Sequence, residues 1–332
     1  MNKKVLIITE LGMTHNGSAS LAKRLIDSAI DSGVDAVKFQ MHIFDEESLP
    51  DAPSPKYFTS ESRKEFFKRT SFTVKQWIDI KNHIKNNGKK FVCSPFSVKA
   101  VELLEKIGVD IYKIPSGEVT NTPYLEVVSN TKKPVILSTG MNNWKELDNA
   151  VKTITRYNKN LSIMQCTSSY PCSYKEVGLN VIKEMRERYG LPIGLSDHTL
   201  TIYASLAAVT LGANIIERHF TIDKKIYGPD AKFSLVPAEM KNLVEGIRNI
   251  EIMLNNKVDK NDVSKFKDMK YIFEKSIVSK NNIYKNTIIT SDLLDFKKPG
   301  DGIRADRIKE VIGKRAKVDI PKNIKILLEH LK

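Results

Sequence analysis

The chain has 332 residues, and 53 Lys and Arg against 39 Asp and Glu give it a formal net charge of +14. This length predicts one large and one small domain. No apolar run approaches the ~18 residues that a membrane span requires. The lysines are scattered, without a dense basic run or interleaved aromatic residues, so the charge does not indicate nucleic-acid binding. It is explained by a solvated surface or by steering of an anionic ligand.

The cysteines and the N-terminus indicate a cytoplasmic protein. Cys93, Cys166 and Cys172 are odd in number and lack metal-ligand spacing, which predicts buried free thiols in a reducing compartment. The first residues run directly into an apolar strand, so no signal peptide is predicted.

A short pattern recurs three times along the chain. A helix-like stretch is followed by glycine, a short apolar strand and a terminal charge in the segments Gly33–Lys38, Gly108–Lys113 and Gly212–Glu217. Glycine suits the position after a helix because it tolerates positive φ. Helix, glycine, strand and charge in this order are typical of a (β/α) barrel, where functional groups gather at the C-terminal ends of the strands.

The rest of the chain follows the same order and predicts eight strands. They are Val5–Leu11, Ala36–Gln40, Phe91–Phe96, Ile111–Ser116, Pro134–Thr139, Leu161–Cys166, Pro192–Asp197 and Ile215–Phe220. Amphipathic helices between them include Ser20–Ser32, Val98–Ile107 after the N-cap candidate Ser97, and a closing helix Pro237–Leu254. An α/β fold, a closed (β/α)8 TIM barrel, is favoured over an open sheet.

A small C-terminal domain follows the barrel. The polar segment Asn255–Asp268 indicates a linker, and the predicted division is residues 1–256 for the barrel, 257–270 for the linker and 271–332 for the tail. In the tail, Ser276–Ile283 and Thr287–Asp295 predict a strand and a turn capped by Ser291.

The predicted strand ends carry lysines, serines and glycines. The segments concerned are Lys113–Glu118, Leu137–Met141, Gln165–Pro171 and Gly194–Thr199. One Ser-Gly-Thr loop alone would be explained as a βα turn. Four such loops that converge with Lys38 and Lys113 favour a site for a phosphate or a carboxylate.

His198 and His219 are the metal candidates, because they stand at the ends of the neighbouring seventh and eighth strands. A single histidine there is more often a structural hydrogen-bonding residue, but a pair favours a metal site. Two histidines leave coordination positions open, as Lewis-acid catalysis on a carbonyl requires.

The motifs together resemble those of the bacterial sialic acid synthases and the wider nonulosonic acid synthases, which condense phosphoenolpyruvate with an N-acetylated hexose. The matching segments are His15–Gly17, Lys38–Gln40, Ser94–Phe96, Lys113–Glu118, Leu137–Met141, Gly194–Thr199, Glu217–Thr221 and Gly228–Asp230. The tail resembles the antifreeze-like (SAF) domain of the same family, so the resemblance covers nearly the whole chain.

The resemblance implies a role for each matching residue. The phosphoenolpyruvate ligands would be Lys38, Lys113, Ser116, Ser138 and Ser196, with Ser94 in place of threonine and Ser168 in place of asparagine. His198 and His219 would bind a divalent metal, usually Mn²⁺, with Mg²⁺ or Co²⁺ as alternatives. The residues near the acceptor sugar and its aldehyde would be Glu10, Gln40, Glu118, Tyr170 and Asp230, with Glu10 and Glu118 as proton-handling groups. The family also implies a domain-swapped homodimer whose tail reaches the partner's sugar site.

Three departures bear on the acceptor sugar. The tail has Lys297-Lys298-Pro299 where the family has Lys-Arg-Pro, and lysine does not replace a bidentate arginine; Lys298 or the nearby Arg304 would contact the sugar. Thr14 replaces an asparagine, and the insert Ile43–Thr73 is unlike that of common sialic acid synthases.

Two other classes of function remain open on the residues alone. One is a different metal-dependent barrel aldolase or a sugar isomerase, although an isomerase would need more carboxylate ligands. The other is a noncatalytic sugar-phosphate binding protein, against which the joint presence of Glu10, Glu118, His198 and His219 argues.

Overall fold

The computed structural model describes residues 4–53 and 61–332. Residues 1–3 of the predicted N-terminal segment and residues 54–60 of the predicted insert lie outside the described residues. The chain forms two compact units that divide between Asn256 and Lys257. Within the described ranges, no helix is both long and apolar enough to cross a membrane.

The first unit is built around a closed barrel of eight parallel strands, each hydrogen-bonded to the next and the last to the first. The strands are β1 (Leu6–Glu10), β2 (Ala36–Met41), β3 (Lys90–Pro95), β4 (Ile111–Ile114), β5 (Val135–Ser138), β6 (Leu161–Cys166), β7 (Ile193–Asp197) and β8 (Ile215–His219). The predicted (β/α)8 barrel is therefore confirmed, and each strand overlaps its predicted segment.

Helices connect the strands and surround the barrel. They are α1 (Ala19–Asp31), α2 (Phe44–Glu47), α3 (Arg63–Thr70), α4 (Val74–Asn86), α5 (Val98–Ile107), α6 (Thr122–Asn130), α7 (Trp144–Tyr157), α8 (Leu179–Tyr189), α9 (Tyr203–Thr210) and α10 (Pro237–Asn255). Helix α5 has the predicted bounds because both its ends are locally encoded. The Ser97 side chain accepts from the backbone N–H of Ala100, and Gly108 ends the helix at φ +91°.

Alternation along each strand gives the barrel interior two layers. A lower layer is apolar and consists of Ile8, Ala36, Val92, Ile111, Ile136, Met164 and Ile215. Side chains two residues further along a strand point to the same face, so Glu10, Lys38, Ser94 and Lys113 lie above this layer. The same period places Glu217 above Ile215. These charged and hydroxyl side chains therefore lie above an apolar layer, at the C-terminal mouth of the barrel.

The outer faces of the strands pack against the helices. Among the described residues this core is the largest, and it includes Ile7, Val37, Phe91 and Leu137, all fully buried. The three cysteines are free and buried, as predicted.

Two short helices occupy the described part of the predicted insert. Helix α3 begins with a capping box in which Ser62 and Glu65 satisfy each other's backbone N–H groups. Its Phe66 and Phe67 pack with Met13 and Phe44 in a separate apolar cluster, so the insert packs against the loop that follows β1.

The second unit contains an antiparallel pair, β9 (Ser276–Ser279) and β10 (Leu294–Lys297). Its separate core consists of Ile277, Ile283, Ile289, Leu294, Ile303, Val311, Ala316, Ile320, Ile326 and Leu331.

One prediction for the C-terminal region was wrong. Ser291 does not cap its turn; it begins a 3-10 helix (Ser291–Leu293) that follows Thr290 without a side-chain cap. Helix α11 (Lys267–Phe273) begins at the end of the predicted linker and continues into the predicted tail, where Met269, Tyr271 and Ile272 follow the polar segment.

Candidate active site

A buried carboxylate joins two lysines inside the barrel mouth. The ammonium of Lys113 donates to Glu217 Oε1 and Oε2 at 2.8 and 2.9 Å, and Lys38 Nζ lies 3.8 Å from Glu217 Oε1. Lys38 also pairs directly with Glu10. All four side chains are at most 5 % exposed, so this is a network of charges shielded from water.

The network perturbs the protonation of its members. Burial lowers the pKa of Lys38 to about 8 even though Glu217 opposes the shift. Burial favours the acid form of Glu217, but the charges of Lys113 and Lys38 lower its pKa to about 2. Glu217 therefore stays ionised and holds positive charge at the mouth, as an anion site requires.

Hydroxyls and one backbone N–H surround the lysines. Ser196 Oγ donates to Glu217 Oε1 at 3.1 Å, and Ser116 Oγ accepts from the backbone N–H of Gly140 at 2.8 Å. Ser94 and Ser138 lie buried at the ends of β3 and β5.

Gly140 is required by this arrangement of hydroxyls. A Cβ atom at residue 140 would lie 2.3 Å from Ser168 Oγ and 2.7 Å from Ser116 Oγ. The predicted anion-binding hydroxyls from two different loops therefore converge on a single glycine.

The two candidate metal ligands face each other at the ends of β7 and β8. The ring centroids of His198 and His219 are 5.4 Å apart. Thr167 O lies 3.0 Å from His198 Nδ1, and Asp230 Oδ2 lies 3.8 Å from His219 Nδ1. Burial and the neighbouring charges of His198 and Lys38 lower the pKa of His219 well below its usual value. His219 is therefore neutral, the form in which an imidazole binds a metal.

The donor atoms fit an open metal site. His219 Nδ1 and Glu10 Oε1 are buried without a hydrogen-bond partner, and buried polar atoms without a partner call for a ligand. In residues 4–53 and 61–332, no group of three or more His, Cys, Asp or Glu side chains is placed to hold a metal ion by itself. The residues thus suit a cation whose coordination is completed by substrate or water.

The predicted acceptor-side residues line the same mouth. The Tyr170 ring lies 4.2 Å from that of His198. Burial raises the pKa of Glu118, with a further contribution from the Glu47 carboxylate, although Asn121 donates to Glu118 at 2.7 Å. Burial also raises the pKa of Asp230 to about 6. The Asp230 carboxyl is therefore suited to proton transfer near neutral pH, and the raised pKa of Glu118 favours its acid form.

Lys298 and Arg304 belong to the second unit and both are exposed. Lys298 Nζ lies 4.7 Å from the centroid of the Phe273 ring, and Arg304 pairs with Asp306 at 3.1 Å. Their predicted contact with a sugar stays a prediction.

Glu217 is the functional residue that the sequence reasoning did not assign. The recurring helix, glycine, strand and charge pattern identified it as a strand-end charge, but no partner was predicted. Its two-residue spacing from His219, together with alternation along β8, was the signal that it points into the barrel.

The comparisons with known proteins agree with this geometry. The NeuB family profile matches residues 25–259, and the SAF domain profile matches residues 274–332. The chain belongs to the NeuB family. The tail is a SAF domain, as the resemblance implied.

Several known proteins are similar to this chain over nearly its whole length. It is 39 % identical over 322 residues to N,N'-diacetyllegionaminic acid synthase of Campylobacter jejuni. This alignment covers 95 % of this chain and 96 % of the relative. It is 32 % identical over 330 residues to human N-acetylneuraminate-9-phosphate synthase, covering 97 % and 91 %.

A solved structure of a sialic acid synthetase from Leptospira borgpetersenii, in complex with citrate, superposes with a TM-score of 0.70. The two sequences are 32 % identical, and the alignment covers 81 % of this chain and 92 % of the solved chain. The fold and the family therefore rest on both sequence and structure.

Proposed function

We propose that this protein is a nonulosonic acid synthase. It condenses phosphoenolpyruvate with an N-acetylated amino sugar, N-acetylmannosamine or a 2,4-diacetamido-2,4,6-trideoxyhexose, to give a nine-carbon acid and phosphate. The observation that carries the proposal is a buried pair of lysines next to two facing histidines at one barrel mouth. The names of its relatives, a legionaminic acid synthase and an N-acetylneuraminate-9-phosphate synthase, support it.

Phosphoenolpyruvate binds at the lysines. Its phosphate and carboxylate replace part of the negative charge that Glu10 and Glu217 now supply to Lys38 and Lys113. The hydroxyls of Ser94, Ser116, Ser138, Ser168 and Ser196 donate to its oxygens. Charge-assisted hydrogen bonds of this kind both bind and orient an anion.

His198 and His219 hold a divalent metal, for which Mn²⁺ is the first candidate and Mg²⁺ or Co²⁺ the alternatives. Such an ion supplies Lewis acidity toward a carbonyl oxygen. The unpartnered Nδ1 of His219 and Oε1 of Glu10 support this assignment.

The reaction forms one carbon–carbon bond and breaks one carbon–oxygen bond. C3 of phosphoenolpyruvate attacks the sugar's aldehyde carbon, and the aldehyde oxygen gains a proton. Water adds at C2 and loses one proton to give a tetrahedral centre that bears a hydroxyl and the phosphate. The C–O bond to phosphate then breaks, and the proton of the C2 hydroxyl leaves with the phosphate, which leaves a ketone. Lys38 and Lys113 stabilise the charge on the departing phosphate.

Glu10 and Glu118 handle the two protons. Glu10 is buried beside Lys38, whereas Glu118 lies half-buried with a raised pKa. A carboxyl with a raised pKa is suited to donate a proton to the aldehyde oxygen, and an ionised one is suited to accept a proton from water.

The second unit completes the acceptor site of a partner subunit in a domain-swapped homodimer. The match of this unit to the SAF domain profile supports the assignment, and Lys298 and Arg304 are two of its exposed cations. The composition and the free thiols support a cytoplasmic location.

Phosphate release tests the proposal. The protein is incubated with phosphoenolpyruvate, Mn²⁺ and each of a panel of amino sugars, and phosphate is measured with malachite green. Sugar-dependent release is expected, whereas an isomerase or a binding protein releases none.

The position of bond cleavage is tested in H₂¹⁸O. C–O cleavage leaves the released phosphate unlabelled, because its four oxygens all come from phosphoenolpyruvate. Label in the phosphate would contradict the proposed course of the reaction.

A further inference from the structure

The imidazole of His42 is enclosed between two aromatic rings just beyond the end of β2. Its ring centroid lies 3.8 Å from that of Phe67, with 9° between the planes, and 3.9 Å from that of Phe96, with 23°. The side chain is only 6 % exposed. The stacking therefore fixes the plane of the ring, and its two nitrogens point in set directions.

Each nitrogen meets one polar side chain. His42 Nδ1 lies 2.9 and 3.1 Å from the two carboxylate oxygens of Glu47, whose side chain is 4 % exposed. His42 Nε2 lies 3.1 Å from Gln40 Oε1. Because an amide oxygen only accepts, Nε2 carries a proton and donates it.

Gln40 stands directly above the anion site. It lies two residues after Lys38 on β2, so both side chains are on the inner face and Gln40 is nearer the opening. Its register partner on β3 is Ser94. None of the described residues forms a hydrogen bond with the amide nitrogen of Gln40. Since the ring holds the oxygen, the nitrogen is the end that a second substrate can meet.

We propose that His42, held by Glu47, is a positioning residue for the acceptor sugar. It fixes the Gln40 amide so that its N–H groups donate to an oxygen of that sugar, either a hydroxyl or the carbonyl of an acetamido group. The inference rests on the proposed function. A glutamine that is already held in place loses less side-chain entropy when the sugar binds.

The arrangement gives the insert a role on the acceptor side. Glu47 belongs to α2 and Phe67 to α3, both in the predicted insert. Glu47 also lies near enough to Glu118 to raise the pKa of that carboxyl. The insert therefore supplies two of the contacts that hold the His42–Gln40 pair.

A double-mutant cycle tests whether His42 acts through Gln40. His42→Phe keeps a ring between Phe67 and Phe96 and removes both polar contacts. We expect it to raise the KM of the acceptor about 3- to 10-fold, the effect of losing one positioned hydrogen bond, and to leave the KM of phosphoenolpyruvate within about 2-fold. In a Gln40→Ala background the same substitution should change the acceptor KM less than about 2-fold.

Two further variants keep the test valid if His42→Phe does not fold. Glu47→Leu removes the second partner of the ring without leaving a carboxylate unpaired, and it should raise the acceptor KM only when Gln40 is present. In Glu47→Gln, the new amide can donate to Nδ1 and leave the proton on Nε2. The acceptor KM of this variant should therefore stay within about 3-fold of the wild-type value. His83→Phe, on the surface beside Asp27, is the matched control and should change neither KM.

Each outcome decides between the inference and the proposed function. Equal effects of His42→Phe or Glu47→Leu with and without Gln40, or parallel changes in both KM values, overturn the inference alone. No sugar-dependent phosphate release by the wild type contradicts the proposed function, and the inference falls with it.

Discussion

Lys113 and Glu217 form a buried ion pair that joins β4 to β8 across the barrel mouth. The ammonium lies within 2.9 Å of both carboxylate oxygens, and the partners are 104 residues apart in sequence. The same carboxylate lies 3.8 Å from Lys38. Glu217 thus keeps two lysines at the proposed anion site in the absence of an anion.

Glu217→Gln should lower the free energy of unfolding by about 3 kcal/mol, because two buried lysines lose a shared negative charge. Phosphoenolpyruvate should raise the melting temperature of this variant more than that of the wild type, since its charges replace the carboxylate. Thermal melting with and without phosphoenolpyruvate measures both effects. Glu102→Gln breaks an exposed pair with Lys99 and should cost less than about 1 kcal/mol. If phosphoenolpyruvate raised the melting temperatures of the Glu217→Gln variant and the wild type equally, the assignment of an anion site at these lysines would be contradicted.

His198→Ala and His219→Ala should each lower kcat/KM by about 1,000-fold or more while the far-ultraviolet circular dichroism is unchanged. Removal of a Lewis acid from a carbonyl condensation has effects of this order. EDTA should abolish wild-type turnover, and Mn²⁺ should restore it in the wild type but not in either variant. His83→Ala is the control histidine substitution. Full activity in EDTA rules out the metal.

Gly140→Ala should raise the KM of phosphoenolpyruvate about 10-fold, because a methyl group there displaces the hydroxyls of Ser168 and Ser116. The acceptor KM should change less. Steady-state kinetics with each substrate varied in turn separates the two. Gly117→Ala is the matched control, since a Cβ at that residue meets no atom within 4 Å. The role given to the serines is wrong if both variants behave alike.

Asp35→Asn should destabilise the fold by about 1–3 kcal/mol at pH 7 and progressively less below pH 4. Asp35 accepts from Lys4 at 2.7 Å, from the backbone N–H of Ile7 at 2.9 Å and from Arg248 at 2.5 Å. Burial opposes ionisation, but these partners lower its pKa below the ordinary 3.8. A lowered native pKa stabilises the fold above 3.8, and this contribution is lost as the pH falls through the native value. Urea unfolding at pH 7, 4 and 3 measures the difference, which would stay constant if the ionised carboxylate were irrelevant.

The proposed domain swap predicts complementation between two inactive proteins. One carries His198→Ala, and the other ends at Asn256, where the first compact unit ends and the first core is complete. Subunit exchange places an intact tail from the first protein over an intact barrel of the second, so sugar-dependent phosphate release should return. Native mass spectrometry verifies that mixed dimers form. Mixed dimers without activity mean that the tail does not act in trans.

Arg304→Ala and Lys298→Ala, in the full-length chain, should raise the acceptor KM or lower kcat, by about 10-fold for a lost charge-assisted hydrogen bond, and leave phosphoenolpyruvate binding unchanged. The two single variants identify which cation replaces the family arginine. Lys314→Ala, an exposed lysine of the same unit, provides the control. No effect from either variant would remove the second unit from the acceptor site.

The sequence alone determined the barrel, because its signals are local. Apolar strand runs, the cap at Ser97 and the positive-φ glycine at Gly108 each act within a few residues. They placed α5 correctly at both ends and every barrel strand close to its observed bounds. The barrel in turn predicted that the motif residues at the strand ends lie together, since parallel strands in a barrel bring their C-terminal ends to one mouth.

Tertiary structure alone decided what those residues contact. Glu217 was visible as a strand-end charge, but its partners Lys38 and Lys113 come from other strands, which only barrel closure brings within reach. The enclosure of His42 between Phe67 and Phe96 likewise depends on packing of the insert against the residues that follow β2 and β3. Such contacts are set by side-chain packing between distant segments, for which a single sequence carries no local signal.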